Sequence, residues 1–242
     1  MSVFPSRISL FSGAVALSLL AATANAGTIS LAYDGSSVSN ETDWEIATIT
    51  AAPVDLATND GRVYAFGFNM TDTTDTLGSF LAWCLDLGSF LSTSDTAQPY
   101  TITTDPFNNS DGLSPSEQAR VQSVFDANFG TLDATDGVQA AGFQIALWNA
   151  LYENDLDAQA GTFAVSATQD VINKANDYLT AANGYDDGQA YRLTFLESTP
   201  GTGEAKYQNL VTVSPVPLPA AGFLLLAALG GLGFAGRRRK AA

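Results

Sequence analysis

Phe80 to Leu91 reads Phe-Leu-Ala-Trp-Cys-Leu-Asp-Leu-Gly-Ser-Phe-Leu, apolar on both of its alternating faces. That property constrains the fold more than any other in the chain. A strand wetted on one side alternates apolar and polar residues; one that does not must be covered by structure on both sides. The run therefore predicts a central, buried strand that breaks at Gly88. On it Cys84 shares a face with Phe80, Ala82 and Asp86, while Leu81, Trp83, Leu85 and Leu87 face the other way. Cys84 is also the sole cysteine, so the thiol is left to pair between molecules, to react, or simply to pack.

Around that strand the hydrophobic period changes twice. Thr28 to Tyr33, closed by Asp34-Gly35, and Glu45 to Thr50, closed before Pro53, read as strands. Arg62 to Met70 follows the turn signal Asn59-Asp60-Gly61 and alternates as another. After a loop rich in Thr, Asp, Asn and Ser the spacing becomes helical. Ser114-Pro115-Ser116-Glu117 is a capping box with proline at the first helical position, opening a helix to about Asn128 with Gly130 as its stop. Asp136 caps a second helix through Tyr152, with Val138, Ala141, Ile145, Trp148 and Tyr152 as its apolar stripe. Ser166-Ala167-Thr168-Gln169 reads as a second capping box, opening a third helix to about Ala182 that stops at Gly184. Ala190 to Glu197 and Tyr207 to Ser214 close the body as strands. The expected fold is α+β: a β-sandwich or barrel-like scaffold with a three-helix insertion.

The two ends read as addresses rather than as parts of that fold. Arg7, the apolar and small-residue run Ile8 to Ala22, and the cleavage triplet Ala24-Asn25-Ala26 form a secretory signal over 1–26. At the other end Val216-Pro217-Leu218-Pro219-Ala220 precedes an apolar run to Ala235, then Gly236 and Arg237-Arg238-Arg239-Lys240. Counted from Leu218 the run is about eighteen residues, enough to cross a bilayer as a helix. The basic cluster holds the C-terminus on the cytoplasmic side. This order of motif, transmembrane helix and basic end resembles the PEP-CTERM sorting signals in their Val-Pro-Leu-Pro-Ala variant. The resemblance implies a Gram-negative surface or matrix protein whose tail over 215–242 meets membrane lipid and an inner-membrane exosortase. An ordinary single-pass C-terminal anchor fits the same hydropathy.

Between those ends, residues 27–214 hold all twenty-five Asp and Glu against five Lys and Arg, a net of −20. Nucleic acid is not an expected partner, because phosphate binding needs a basic footprint. The absence of histidine removes Ser-His-Asp and Cys-His catalysis and His-based zinc sites in one step. The acidic stretches Asp133-Ala134-Thr135-Asp136-Gly137 and Asn154-Asp155-Leu156-Asp157 lack the spacing of an EF-hand and read as turns and helix caps. No cofactor and no metal are expected. What survives is carboxylate chemistry and the chemistry of one thiol.

Trp83-Cys84-Leu85-Asp86 and Phe143-Gln144-Ile145-Ala146-Leu147-Trp148 together resemble the two signatures of bacterial thioester domains, in the expected order across about Val63 to Val213. Tyr152-Glu153, closing the same helix, also fits that pattern. The resemblance implies a bond between Cys84 and Gln144, with Trp83, Asp86, Phe143 and Trp148 shielding or supporting it. A thiolate attacking a glutamine carboxamide expels ammonia and leaves an acyl electrophile that an amine can later open. One such event per molecule makes a covalent adhesin or crosslinker rather than an enzyme, with an amine-bearing surface protein or a matrix polysaccharide as partner. The residue types by themselves leave a second expectation open. In it a non-covalent matrix or carbohydrate-binding module with the same export signals merely buries its cysteine, since free cysteine is among the most buried residues.

Overall fold

The computed structural model describes residues 27–216, apart from Thr104, Asp105, Asn108, Asp111 and Glu204. The expected signal segment 1–26, and the tail from Pro217 onward with its expected membrane helix, lie outside the described residues. Among the described residues no helix is long and apolar enough to cross a membrane.

The strands are β1 (Thr28–Ser36), β2 (Ile46–Ala51), β3 (Arg62–Tyr64), β4 (Phe68–Asp72), β5 (Ser79–Cys84), β6 (Gln98–Thr103), β7 (Ala164–Ser166), β8 (Tyr191–Ser198) and β9 (Leu210–Pro215). The helices are α1 (Pro115–Asn128), α2 (Gly137–Tyr152) and α3 (Gln169–Asn183). Six strands close into an antiparallel barrel in the order β1-β4-β5-β9-β8-β6, and β3-β2-β7 form a separate three-stranded sheet. The helices enter the chain between β6 and β8, so the expected helical insertion into a β scaffold is present. It also carries β7, which returns to pair with β2.

The central strand is shorter than the run that predicts it. β5 pairs on both sides, with β4 and with β9, as a doubly covered strand must. It nevertheless ends at Cys84, four residues short of the expected break at Gly88. Leu85 keeps one ladder bond, its N–H donating to the Asn209 carbonyl at 3.0 Å. Asp86 then turns the chain, because its Oδ1 accepts from the Gly88 N–H at 2.9 Å, and such an aspartate turn competes with the ladder. Leu85, Asp86 and Leu87 stay buried without being strand; they pack the end of the barrel.

Other boundaries differ for similar reasons. The expected strand Arg62 to Met70 is two strands in different sheets, broken where Gly67 lies beneath neighbouring side chains. A Cβ on Gly67 would stand 2.8 Å from Leu81 Cδ1 and 3.1 Å from Trp83 Cζ2. The last strand starts at Leu210 rather than Tyr207, and β6 and β7 come from stretches read as connections. The Ser114 capping box forms with both reciprocal bonds, and Asp136 caps α2 by accepting from the Gln139 N–H at 2.8 Å. The second expected box does not form. Ser166 is the last residue of β7, opposite Thr48, and the cap position falls to Thr168, which makes no side-chain cap bond.

The stripe expected on α2 is really a whole circumference. Ala140 through Leu151 are all buried, because the helix is covered by α1, α3 and the barrel together, and a helix apolar all round belongs in a core. Phe143 is its hub, with ring centroids 4.7 Å from Trp83, 5.2 Å from Phe125, 6.1 Å from Phe129 and 5.7 Å from Tyr178. Arg120 of α1 secures the far end, donating through Nε to the Ala150 carbonyl at 2.6 Å and through a terminal nitrogen to that of Leu151 at 3.2 Å. These carbonyls have no partner within the helix.

Candidate functional site

The end of β5 and the middle of α2 meet at one point. The Cys84 N–H donates to Gln144 Oε1 at 2.9 Å, and Gln144 Nε2 donates to the Cys84 carbonyl at 2.9 Å. A side-chain carboxamide thus occupies both main-chain hydrogen-bonding groups of the residue that carries the thiol. Both residues are 1% exposed. With α2 pinned by the Phe143 rings on one side of Gln144 and by Arg120 at its end, the carboxamide has little freedom to leave.

The thiol itself engages the chain just beyond the strand. Its Sγ donates to the Asp86 carbonyl at 3.0 Å and accepts from the Asp86 N–H at 3.3 Å. Burial pushes the Cys84 thiol up to about 12, since a thiolate would lose its hydration. The Asp86 N–H opposes that rise, the Asp86 charge adds to it, and the Trp148 indole opposes it as a donor toward sulfur. At rest, however, Trp148 Nε1 makes no hydrogen bond of ordinary geometry. Cys84 in this state is therefore a neutral thiol at physiological pH.

Asp86 is held in turn. Its Oδ2 lies 2.9 Å from Lys206 Nζ, and Lys206 also reaches the Asn109 carbonyl at 3.5 Å. Asn109 and the fully buried Asn209 exchange amide bonds at 2.7 and 3.0 Å. Asn209 Oδ1 also accepts from the Ser198 N–H at 3.0 Å, while its carbonyl holds Leu85. The residues following Cys84 are thus clamped by groups far away in sequence. Their signal in the chain is no more than a polar pair in loops.

A cavity of about 40 Å³ opens beside the pair, bordered by Cys84, Gln144, Trp148, Thr58 and Gln208. Of the aromatic residues expected to shield it, Trp148 borders the cavity. Trp83 and Phe143 pack against each other away from it and act by holding β5 and α2 together. A larger cavity, about 720 Å³, lies beyond the Asp86 turn and touches neither Cys84 nor Gln144.

The acidic stretches are engaged in local structure: Asp133 accepts from Thr135 at 2.6 and 3.0 Å, Asp136 caps α2, and Asp155 accepts from Asn149 and from the Asp157 N–H. Glu153, just past α2, accepts from the Phe163 N–H. Of the expected sorting residues, Val216 ends the described part, its N–H donating to the Ala190 carbonyl at 2.9 Å. Pro217, Leu218, Pro219 and Ala220 lie outside the described residues.

Residues 215–240 match the PEP-CTERM protein-sorting motif. The chain therefore carries a signal of exported, membrane-processed proteins over the expected sorting tail. No curated protein matches the chain. Among solved structures it is similar to the N-terminal thioester domain of a surface protein from Clostridium perfringens, a cysteine-to-alanine mutant. That match has 13% identity and a TM-score of 0.39 and covers 71% of this chain and 99% of that one. The Bacillus anthracis TIE protein matches at 13% identity and a TM-score of 0.34, over 72% of this chain and 39% of that one. The N-terminal thioester domain of a fibronectin-binding protein from Streptococcus pneumoniae matches at 13% and 0.34, over 76% and 99%.

Proposed function

We infer that this is an exported surface or extracellular-matrix protein that joins itself covalently to amines through an internal Cys84–Gln144 thioester. The observation that carries this reading is the reciprocal pair of 2.9 Å hydrogen bonds between the Gln144 carboxamide and the Cys84 backbone. Residues 1–26 export the chain, 27–214 form the reactive body, and 215–242 carry the Val-Pro-Leu-Pro-Ala motif and membrane helix that meet the exosortase.

The way the pair is held supports this reading. In this reading Sγ leaves the Asp86 carbonyl to attack the Gln144 carbonyl carbon, and the two hydrogen bonds that hold the carboxamide on the Cys84 backbone lower the orientational cost. The Cys84 N–H on Oε1 polarises that carbonyl and carries the oxyanion of the tetrahedral intermediate. As the C–S bond forms the C–N bond breaks, and Nε2 departs as ammonia with the thiol proton. The same burial that disfavours a thiolate keeps water from the product. An amine that later attacks forms an amide at Gln144 and returns the thiol to Cys84. Each molecule acts once, so the protein is a crosslinker and not a turnover enzyme.

Intact mass of the freshly purified protein tests this. The expected mass is one ammonia lighter than that of the mature chain beginning near Gly27, and methylamine adds at Gln144; the Cys84→Ala variant shows no ammonia deficit and takes up none. A full mass for the wild type, with Cys84 alkylated stoichiometrically on unfolding, overturns the reading. That result would support the second one, a non-covalent module whose buried thiol is satisfied by Asp86.

A further inference from the structure

The 40 Å³ cavity beside the pair is bordered by residues with buried polar atoms that make no ordinary hydrogen bond. Thr58 Oγ1 and Gln208 Oε1 are buried without a hydrogen-bond partner, Trp148 Nε1 is buried near the Cys84 sulfur without a hydrogen bond of ordinary geometry, and each of these residues borders it. Buried polar groups are nearly always paired, and an unpaired one costs free energy. Three unpaired atoms around one small space, two of them able to accept and one only to donate, form a pattern rather than a packing accident.

The atoms are also held in position. The Gln208 N–H donates to the Phe90 carbonyl at 3.1 Å, and the Gln208 carbonyl accepts from Tyr100 Oη at 3.0 Å, so its backbone is clamped from both sides. Thr58 follows Ala57, whose N–H donates to the Leu87 carbonyl at 2.8 Å. Trp148 is 2% exposed, one helical turn beyond Gln144. Tyr64 and Phe90 also border the cavity, yet are 54% and 60% exposed, so their rings form its outer wall.

Building on the thioester reading, we propose that Thr58, Gln208 and Trp148 form a receptor for an unbranched primary amine. Thr58 Oγ1 and Gln208 Oε1 accept its N–H groups, and Trp148 Nε1 donates to the departing sulfur. The space of about 40 Å³ beside the pair admits a small group such as the terminal carbon and nitrogen of an alkylamine. Tyr64 and Phe90 cover the methylene stem behind it, as in the side chain of an exposed lysine. The ammonium leaves one proton in solvent before it enters. The neutral amine then attacks the Gln144 carbonyl carbon, the C–N bond forms and the C–S bond breaks. A second amine proton passes to sulfur, restoring the Cys84 thiol.

The receptor is selective because a primary amine satisfies both acceptors while its lone pair faces the carbonyl, whereas a secondary amine leaves one acceptor unpaired. The test follows adduct formation on the full chain by intact mass, with methylamine, dimethylamine and the lysine-like cadaverine as probes. In the wild type, methylamine is expected to react at least about tenfold faster than dimethylamine, and cadaverine faster than methylamine. Thr58→Val and Gln208→Leu are expected to keep the one-ammonia mass deficit but to slow methylamine addition about tenfold each, while Thr58→Ser retains the wild-type rate. A wild type without the mass deficit overturns the thioester and the receptor together. With the deficit present, equal rates for methylamine and dimethylamine, or Thr58→Val and Gln208→Leu variants as fast as wild type, overturn the receptor and leave the thioester standing.

Discussion

Cys84 and Gln144 are sixty positions apart, and the pair was legible in the chain only through the resemblance of its two short motifs to thioester-domain signatures; the residue types alone left the thiol free to pack. Thr58, Gln208 and Asn209 were not legible, since a polar residue in a loop has no spacing that reports what it faces. Asp72 is a similar case. It is 1% exposed, and its Oδ1 accepts from the N–H and hydroxyl of Thr74 at 2.8 and 2.6 Å. Its Oδ2 accepts from the N–H groups of Thr76 and Leu77, both at 2.9 Å. Burial pushes its carboxyl up, but these four bonds outweigh burial and hold it below the usual range. Because the folded pKa is depressed, the stabilisation is present above the unfolded value of about 3.9 and is lost as pH falls through the folded one. Asp72→Asn turns an amide donor toward two N–H donors, so it should cost about 2 kcal/mol at neutral pH. Urea titrations at several pH values would show the loss, together with a flatter stability profile below about pH 5 in the variant. A variant as stable as wild type, with the same acid profile, would remove Asp72 as the lock of the β4–β5 hairpin.

At the scale of elements, helix starts were readable where a local bond defines them, as at Ser114 and Asp136. The extent of β5 was not. Its apolar run continues to Leu91, yet strand ends at Cys84 because the Asp86 turn and the Asn209 carbonyl decide where the ladder stops. The packing of α2 against α3 was equally hidden. A Cβ on Gly142 would stand 2.7 Å from Lys174 Cγ, 2.9 Å from Lys174 Cβ and 3.1 Å from the Ala175 nitrogen. Alanine gains about 1 kcal/mol of helix propensity over glycine, but overpacking against a neighbouring backbone costs about 1–3 kcal/mol. Gly142→Ala should therefore lower stability by about 1 kcal/mol, measured by thermal or urea unfolding. A rise in stability would mean that α3 yields without cost.

For the whole molecule, the net −20 of residues 27–214 acts on any cationic amine before contact. Charge of one sign raises the encounter rate of the opposite sign and is screened over about 10 Å at 0.1 M salt. Adduct formation with a lysine peptide flanked by arginines should slow several-fold as salt rises from about 0.01 to 0.15 M. A peptide flanked by glutamates should respond little. Identical salt dependence for the two would exclude steering by the body. What the sequence determined by itself is whatever a contiguous stretch encodes: the sorting motif, the alternation of strands and helices, the capped helix starts and the doubly apolar strand around Cys84. Only the tertiary structure decided that the strand ends at Cys84, that Gln144 lies on its backbone and that Thr58, Gln208 and Trp148 border the same cavity. Those outcomes depend on hydrogen-bond partners supplied by distant segments, and local pattern holds no record of which partner wins.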